Sequence, residues 1–286
     1  MMKMKLSQRI GIKIYSTSLN TTALISPAKA AEKAFGIFCS PTITSVFPEP
    51  DIFKKAEKKH LQLDGLQIYG WYWKQEKQNS PKVLIAHGFN SCSFKFEKYV
   101  MQLFKNGFEV IAFDAPAHGI SEGKQVHALM YKELILKVNK KYGNLYAIIG
   151  HSFGGLAASF AAESLPELKK LVLIAPATET TTAITQFFKQ MKLREDIKPE
   201  FEKKLISLAK LPLSYFSAIR SVSNISVNTL WLHDTMDLIC PFEDACKIRD
   251  LNLNHVQFYE TTGLGHNKIY RDQSVSKMII KFVSMT

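Results

Sequence analysis

The sequence predicts an α/β fold: a mostly parallel central sheet with helices on both faces and a small helical cap. Three observations carry that expectation. Short, nearly continuous apolar runs recur at Val83–Ala86, Phe108–Phe113, Leu145–Ile149, Leu171–Ile174 and Val227–Leu232, as expected of strands covered on both sides. Helical periodicity fills most intervals between them. Loops rich in Gly, His, Ser and Asp follow the runs directly.

Taken in order, residues 1–46 form a helical arm and residues 47–286 the α/β domain. The N-terminus imitates a targeting signal, with early basic residues (Lys3, Lys5, Arg9) and an Ala28-Lys29-Ala30 triplet. Lys13, Asn20 and many Ser and Thr deny it an apolar centre. Ser26-Pro27 reads as an N-cap followed by proline at the first helical position. Ala31, Ala34, Phe35 and Phe38 then make an apolar stripe before Pro41 stops the helix. The arm is expected to pack on the main domain, with weak membrane-surface contact as a second use.

Leu61–Trp73 reads as two strands, with a turn at Asp64-Gly65 and an interruption at Gly70. A helix over Phe96–Phe104 closes at Gly107. Another carries Tyr131, Leu134, Ile135, Val138 and Tyr142 on one face, and a small-residue helix begins at Phe153. The rhythm fails between Thr178 and Asn224, where Thr180–Met191 and Pro199–Ala209 look helical. Residues 178–224 are therefore expected to form the cap. Its Phe187, Phe188, Leu205, Leu208, Tyr215 and Phe216 either line an acyl pocket or form the cap's own core. The helix Phe242–Leu251, the strand Val256–Tyr259 and a final helix to Val283 complete the sheet.

Of the 286 residues, 46% are apolar and 22% charged, which excludes a disordered chain. No apolar run is long enough to cross a membrane. Four scattered cysteines without a CxxC pair speak against a zinc cluster or a disulfide framework and fit a reducing, cytoplasmic setting. The net charge is +12, and residues 1–80 contribute +6 of it. Lysines are mixed with glutamates and no nucleic-acid motif occurs, so a solvated basic surface is expected, with no nucleic-acid partner.

Four strand ends hold the chemistry. Gly150-His151-Ser152-Phe153-Gly154-Gly155 lies between a strand and a helix, where a nucleophilic serine projects from a tight turn flanked by small residues. Ala86-His87-Gly88-Phe89 ends the neighbouring strand. Phe89 and Phe153 are candidates for the two backbone N–H donors of an oxyanion hole. His87 precedes Ser152 in the chain and is given the task of holding its loop by hydrogen bonds. His233-Asp234-Thr235-Met236-Asp237 offers two carboxylates. Asp237 is favoured as triad acid, and Asp234, tight against the strand end, as a turn former. Thr262-Gly263-Leu264-Gly265-His266 supplies a general base at His266.

With these motifs together, the sequence resembles the α/β-hydrolase superfamily over roughly residues 60–286. More narrowly, it is similar to uncharacterised bacterial hydrolases related to the monoacylglycerol-lipase and serine-aminopeptidase group, which also show an N-terminal helix like the one at 27–39. Asp114 to Gly123 looks like the superfamily's Asp-x-x-x-x-Gly-x-Ser turn. The resemblance implies an α/β-hydrolase fold, a Ser152–Asp237–His266 triad, an oxyanion hole at Phe89 and Phe153, and no metal or organic cofactor. Serine at the elbow argues against haloalkane dehalogenases. The substrate expected is a small-molecule ester or thioester of small to medium acyl length. Amide, peptide and carbon–carbon bond hydrolysis use the same triad, and a non-catalytic ligand-binding protein is the alternative of another class.

Overall fold

The structure, a computed structural model, describes residues 6–42 and 47–285; Lys3, Lys5 and the arm's last residues, 43–46, lie outside the described residues. In chain order the elements are α1 (Leu6–Ile25), α2 (Pro27–Phe38), α3 (Asp51–Lys54), β1 (Glu57–Leu63), β2 (Leu66–Trp73), β3 (Lys82–Ala86), α4 (Glu97–Lys105), β4 (Glu109–Phe113), α5 (Ala128–Tyr142), β5 (Leu145–His151) and α6 (Phe153–Ala162). They continue with β6 (Lys170–Ile174), α7 (Thr180–Met191), α8 (Ile197–Ala209), α9 (Ala218–Ser223), β7 (Asn228–Asp234), α10 (Phe242–Asp250), β8 (Val256–Thr261), α11 (Gly265–Lys268) and α12 (Gln273–Ser284). Two units emerge: the segment up to Ser40 joins Glu179–Phe216, and the remaining described residues form the sheet unit.

The sheet has eight strands in the order β1-β2-β4-β3-β5-β6-β7-β8. β1–β2 and β2–β4 pair antiparallel, and every later pairing is parallel. Side chains alternate between two apolar layers. Val83, Ile85, Val110, Ala147, Ile149, Val172 and Leu230 share a core with Tyr99, Val100 and Leu103 of α4 and with Val275, Ile279 and Val283 of α12. Leu84, Ile111, Ile148 and Leu171 are equally buried on the other layer, where α6 packs on β3, β5 and β6. Burial on both sides is why these strands are apolar throughout.

The sheet's antiparallel end departs from expectation in two ways. β1 begins at Glu57, because Glu57–His60 is a polar, largely exposed edge that carries no apolar signal. β2 runs unbroken through Gly70, which pairs with Phe113 of β4. A Cβ at Gly70 would lie 2.5 Å from the Phe113 ring, so glycine here admits a ring instead of ending a strand. Asp64 and Gly65, at φ 50° and 81°, make the two-residue hairpin turn.

In the other unit, Ser26 caps α2 by accepting the Lys29 N–H, with Pro27 at the first helical position. The Phe201 ring packs against Phe35, Phe38 and Phe188, with centroids 5.5–5.6 Å apart. Phe38 also meets Phe187 edge-on at 5.3 Å. Phe187 and Phe188 thus belong to a shared aromatic core with α2, Leu205 is buried, and Leu208 is exposed. Within the helical arm, the sequence located a helix at 27–39 and did not bound the longer α1 that precedes it. α1 is fixed by Leu19 and Ala23, both buried, and by Asn20, which donates to Lys192 O and accepts from the Arg194 N–H, each at 3.0 Å. Residues 217–224, counted with the cap on sequence, instead form α9 against α6 in the sheet unit. No helix of the described residues is long and apolar enough to cross a membrane.

Candidate active site

Ser152 sits between β5 and α6 with φ 54° and ψ −120°, a region that side chains with a Cβ rarely enter. The strain is held in place from both sides: the Ser152 N–H donates to Ile174 O, and Ser152 O accepts from the Ala177 N–H, each at 3.0 Å. Neighbouring glycines make the turn possible. A Cβ on Gly154 would lie 2.3 Å from Ala86 O, and one on Gly150 2.7 Å from Gly154 O. The serine hydroxyl donates to His266 Nε2 at 2.9 Å. His266 Nδ1–H donates in turn to Asp237 Oδ2 at 2.7 Å. All three side chains are buried. The structure therefore brings together Ser152, His266 and Asp237 from the ends of β5, β8 and β7.

The two carboxylates of the β7 loop divide their contacts cleanly. Asp237 Oδ2 faces His266, while its Oδ1 accepts the N–H groups of Ile239 and Cys240 at 2.8 and 2.9 Å. Asp234 serves the turn instead. Its oxygens accept from Met236 N–H, Thr261 Oγ1–H and Leu264 N–H. Burial acts to raise the Asp234 carboxyl, but those donors outweigh it and hold it below its usual range. His233 Nε2–H donates to Cys240 O at 2.8 Å, which fixes the far end of the same loop.

The oxyanion candidates occupy the loop after β3 and the start of α6. Neither the Phe89 nor the Phe153 N–H donates to an acceptor in the turns and loops of the described residues, and their rings meet edge-on at 5.6 Å. A Cβ on Gly88 would lie 2.9 Å from His151 Nδ1 and 3.1 Å from Ser152 Cβ, so glycine keeps this backbone close against the serine. His87 Nε2 accepts the Ala115 N–H at 2.9 Å, and its Nδ1–H donates to Gly88 O at 2.8 Å. His118, which sequence reasoning did not single out, repeats the arrangement. Its Nε2 accepts the Asn90 N–H at 3.1 Å and its Nδ1–H donates to Pro116 O at 2.9 Å.

Burial pushes both imidazoles down to about 4, so each is a neutral acceptor at neutral pH. Asp114 braces the same region, accepting the Ser93 and Ile120 N–H groups. Gly119, at φ 52°, is required there because a Cβ would collide with that carboxylate. His151, buried and held well below its usual range, donates from Nε2 to His266 O at 3.1 Å. The one signal for these supporting histidines was their position: His87, His151 and His233 each sit at or just beyond the end of an apolar strand.

Comparison with known proteins follows the same lines. The sequence profile of the family described as serine aminopeptidase, S33, matches residues 77–217. The uncharacterized hydrolase YugF of Bacillus subtilis is 31% identical over 121 residues, covering 41% of this chain and 43% of that protein. Human monoglyceride lipase is 29% identical over 137 residues, covering 44% of this chain and 45% of that enzyme. The matched region spans under half the length of these curated relatives. Among solved structures, an esterase of Pyrococcus furiosus superimposes with a TM-score of 0.63 at 20% identity, over 85% of this chain and 98% of that one. At that identity the likeness is one of fold.

Proposed function

We propose that this chain is a serine hydrolase of the α/β-hydrolase superfamily that cleaves carboxylic esters or thioesters of small to medium acyl groups. The observation that carries the reading is the unbroken hydrogen-bond chain from Ser152 through His266 to Asp237, starting at a strained serine. Ser152 Oγ attacks the carbonyl carbon while His266 Nε2 takes its proton. Asp237 holds the imidazole in the tautomer that leaves Nε2 free and stabilises the imidazolium. The oxyanion accepts hydrogen bonds from the Phe89 and Phe153 N–H groups, each worth on the order of 10²–10³ in rate. His266 then protonates the departing alcohol or thiol. In the second half, water attacks the acyl-enzyme with His266 as base, and Ser152 recovers its proton.

A series of p-nitrophenyl esters from acetate to decanoate, with acyl thioesters of matched length, tests the reading. The native chain should turn over the shorter members fastest, and Ser152→Ala should reduce every rate to background. Turnover that survives Ser152→Ala, or hydrolysis confined to amides, contradicts it.

A further inference from the structure

We propose that the outer face of α1 docks on the surface of an anionic lipid bilayer, lying in the interface plane without crossing it. At about 100° per residue, positions 10, 14, 17, 21, 24 and 25 of a helix share one side. In α1 that side carries Ile10 and Ile14 at one end and Leu24 and Ile25 at the other, 51%, 63%, 70% and 87% exposed, with Thr17 and Thr21 between the two pairs. The opposite side holds Leu19 and Ala23, buried where α1 packs on α2 and α7. The helix thus spends one apolar face on its own unit and leaves a second in water. Four large aliphatic side chains in one row of a single helix are a costly surface for a soluble protein and a suitable one for an acyl boundary.

Charge decides between occupants. Residues 1–40 and 179–216 hold 13 Lys and Arg against 6 Asp and Glu, so this unit carries +7 of the chain's +12. Lys13 lies on α1 itself. Lys33 Nζ reaches Thr22 Oγ1 on one flank of the row, at 3.4 Å. On the other flank Asn20 binds the backbone of Lys192. Among the described residues, none of these three lysines has a carboxylate partner. Two copies docked face to face would bring these cations together. An anionic bilayer satisfies the apolar row and the lysines at once. Lys13 and the Ser, Thr and Asn residues of α1 keep it from spanning, in line with the lack of any sufficiently long apolar helix among the described residues.

The test is sedimentation of the full chain with phosphatidylcholine vesicles and with vesicles containing phosphatidylglycerol. The native chain should partition at least tenfold more strongly onto the anionic vesicles, and added salt should weaken that binding. The variant Ile10→Ser/Ile14→Ser/Leu24→Ser/Ile25→Ser should lose tenfold or more, with an unchanged circular dichroism spectrum and melting temperature because all four sites are exposed. Lys13→Glu/Lys33→Glu/Lys192→Glu should lose the preference for anionic lipid. Absence of native binding, or binding unaffected by the serine variant, overturns the proposal. So does a native dimer that the serine variant converts to monomer without either form binding vesicles. None of these outcomes depends on the hydrolase reading.

Discussion

On one side of the candidate site, the loop after β7 is shaped by carboxylates: Asp234 and Asp237 between them accept four backbone N–H groups, a threonine hydroxyl and the His266 ring. On the other side, the loops after β3 and β4 are tied by two neutral imidazoles beside the single carboxylate of Asp114, with His87 and His118 accepting the Ala115 and Asn90 N–H groups. Asp234, held below its usual range by its donors, keeps its acceptor role further into acid than an ordinary carboxylate. An imidazole loses it on protonation, because Nε2 then presents a proton to a proton. The turn that Asp234 shapes is therefore less sensitive to mild acid than the loops that place Phe89.

The largest expected effect lies within the carboxylate loop. Asp237→Asn should lower kcat by on the order of 10⁴, because the amide permits the wrong His266 tautomer. Asp234→Asn should leave kcat within about tenfold and instead cost about 1–3 kcal/mol of stability, since it disturbs three accepted hydrogen bonds. Steady-state kinetics beside chemical denaturation separate the two, and the reverse pattern would exchange their roles.

The imidazole side should respond more mildly. His118→Ala frees the Asn90 N–H and loosens the turn that carries Phe89. A fall in kcat of about 10²-fold with little change in KM is expected. His118→Asn, which restores an acceptor and a donor, should recover part of the loss. Equal changes in kcat and KM would indicate a role in substrate binding instead.

Acid sharpens the contrast further. His87 and His118 titrate near 4 when folded and near 6.5 when unfolded, so between those values the unfolded chain binds more protons. Stability should therefore fall as pH drops from 6.5 toward 4, by up to about 1.4 kcal/mol per pH unit for each histidine, and level off below. His151 and His233, also lowered by burial, act in the same direction. Denaturation midpoints across this range should show a shallower slope for His118→Asn and an unchanged slope for Asp234→Asn. The smallest effect is expected at His233. His233→Phe removes one hydrogen bond to Cys240 O, worth about 1 kcal/mol, and should change kcat only a few-fold.

The inner strands and the glycine-rich turns were legible because their requirements are local. A strand covered on both faces must be apolar, and an elbow whose Cβ atoms would strike Ala86 O must be glycine. α7 was bounded correctly by its periodicity alone. What stayed hidden depends on contacts distant in sequence. α1 is rich in Ser, Thr and β-branched residues with poor helix propensity, and it is held by Asn20 clamping residues more than 170 positions away. Except for His87, whose loop-holding role was expected, the histidines that brace the loops bond to backbone atoms and left no trace in residue type. Gly70 looked like a break because the Phe113 ring that fills its place is on another strand.

The central claim is that Ser152 is an activated nucleophile, and fluorophosphonate labelling of the intact chain tests it most directly. Mass spectrometry should find one adduct per chain, localised to the peptide containing Ser152, and none on Ser152→Ala. A folded native chain that remains unlabelled, or an adduct on another residue, would contradict the account.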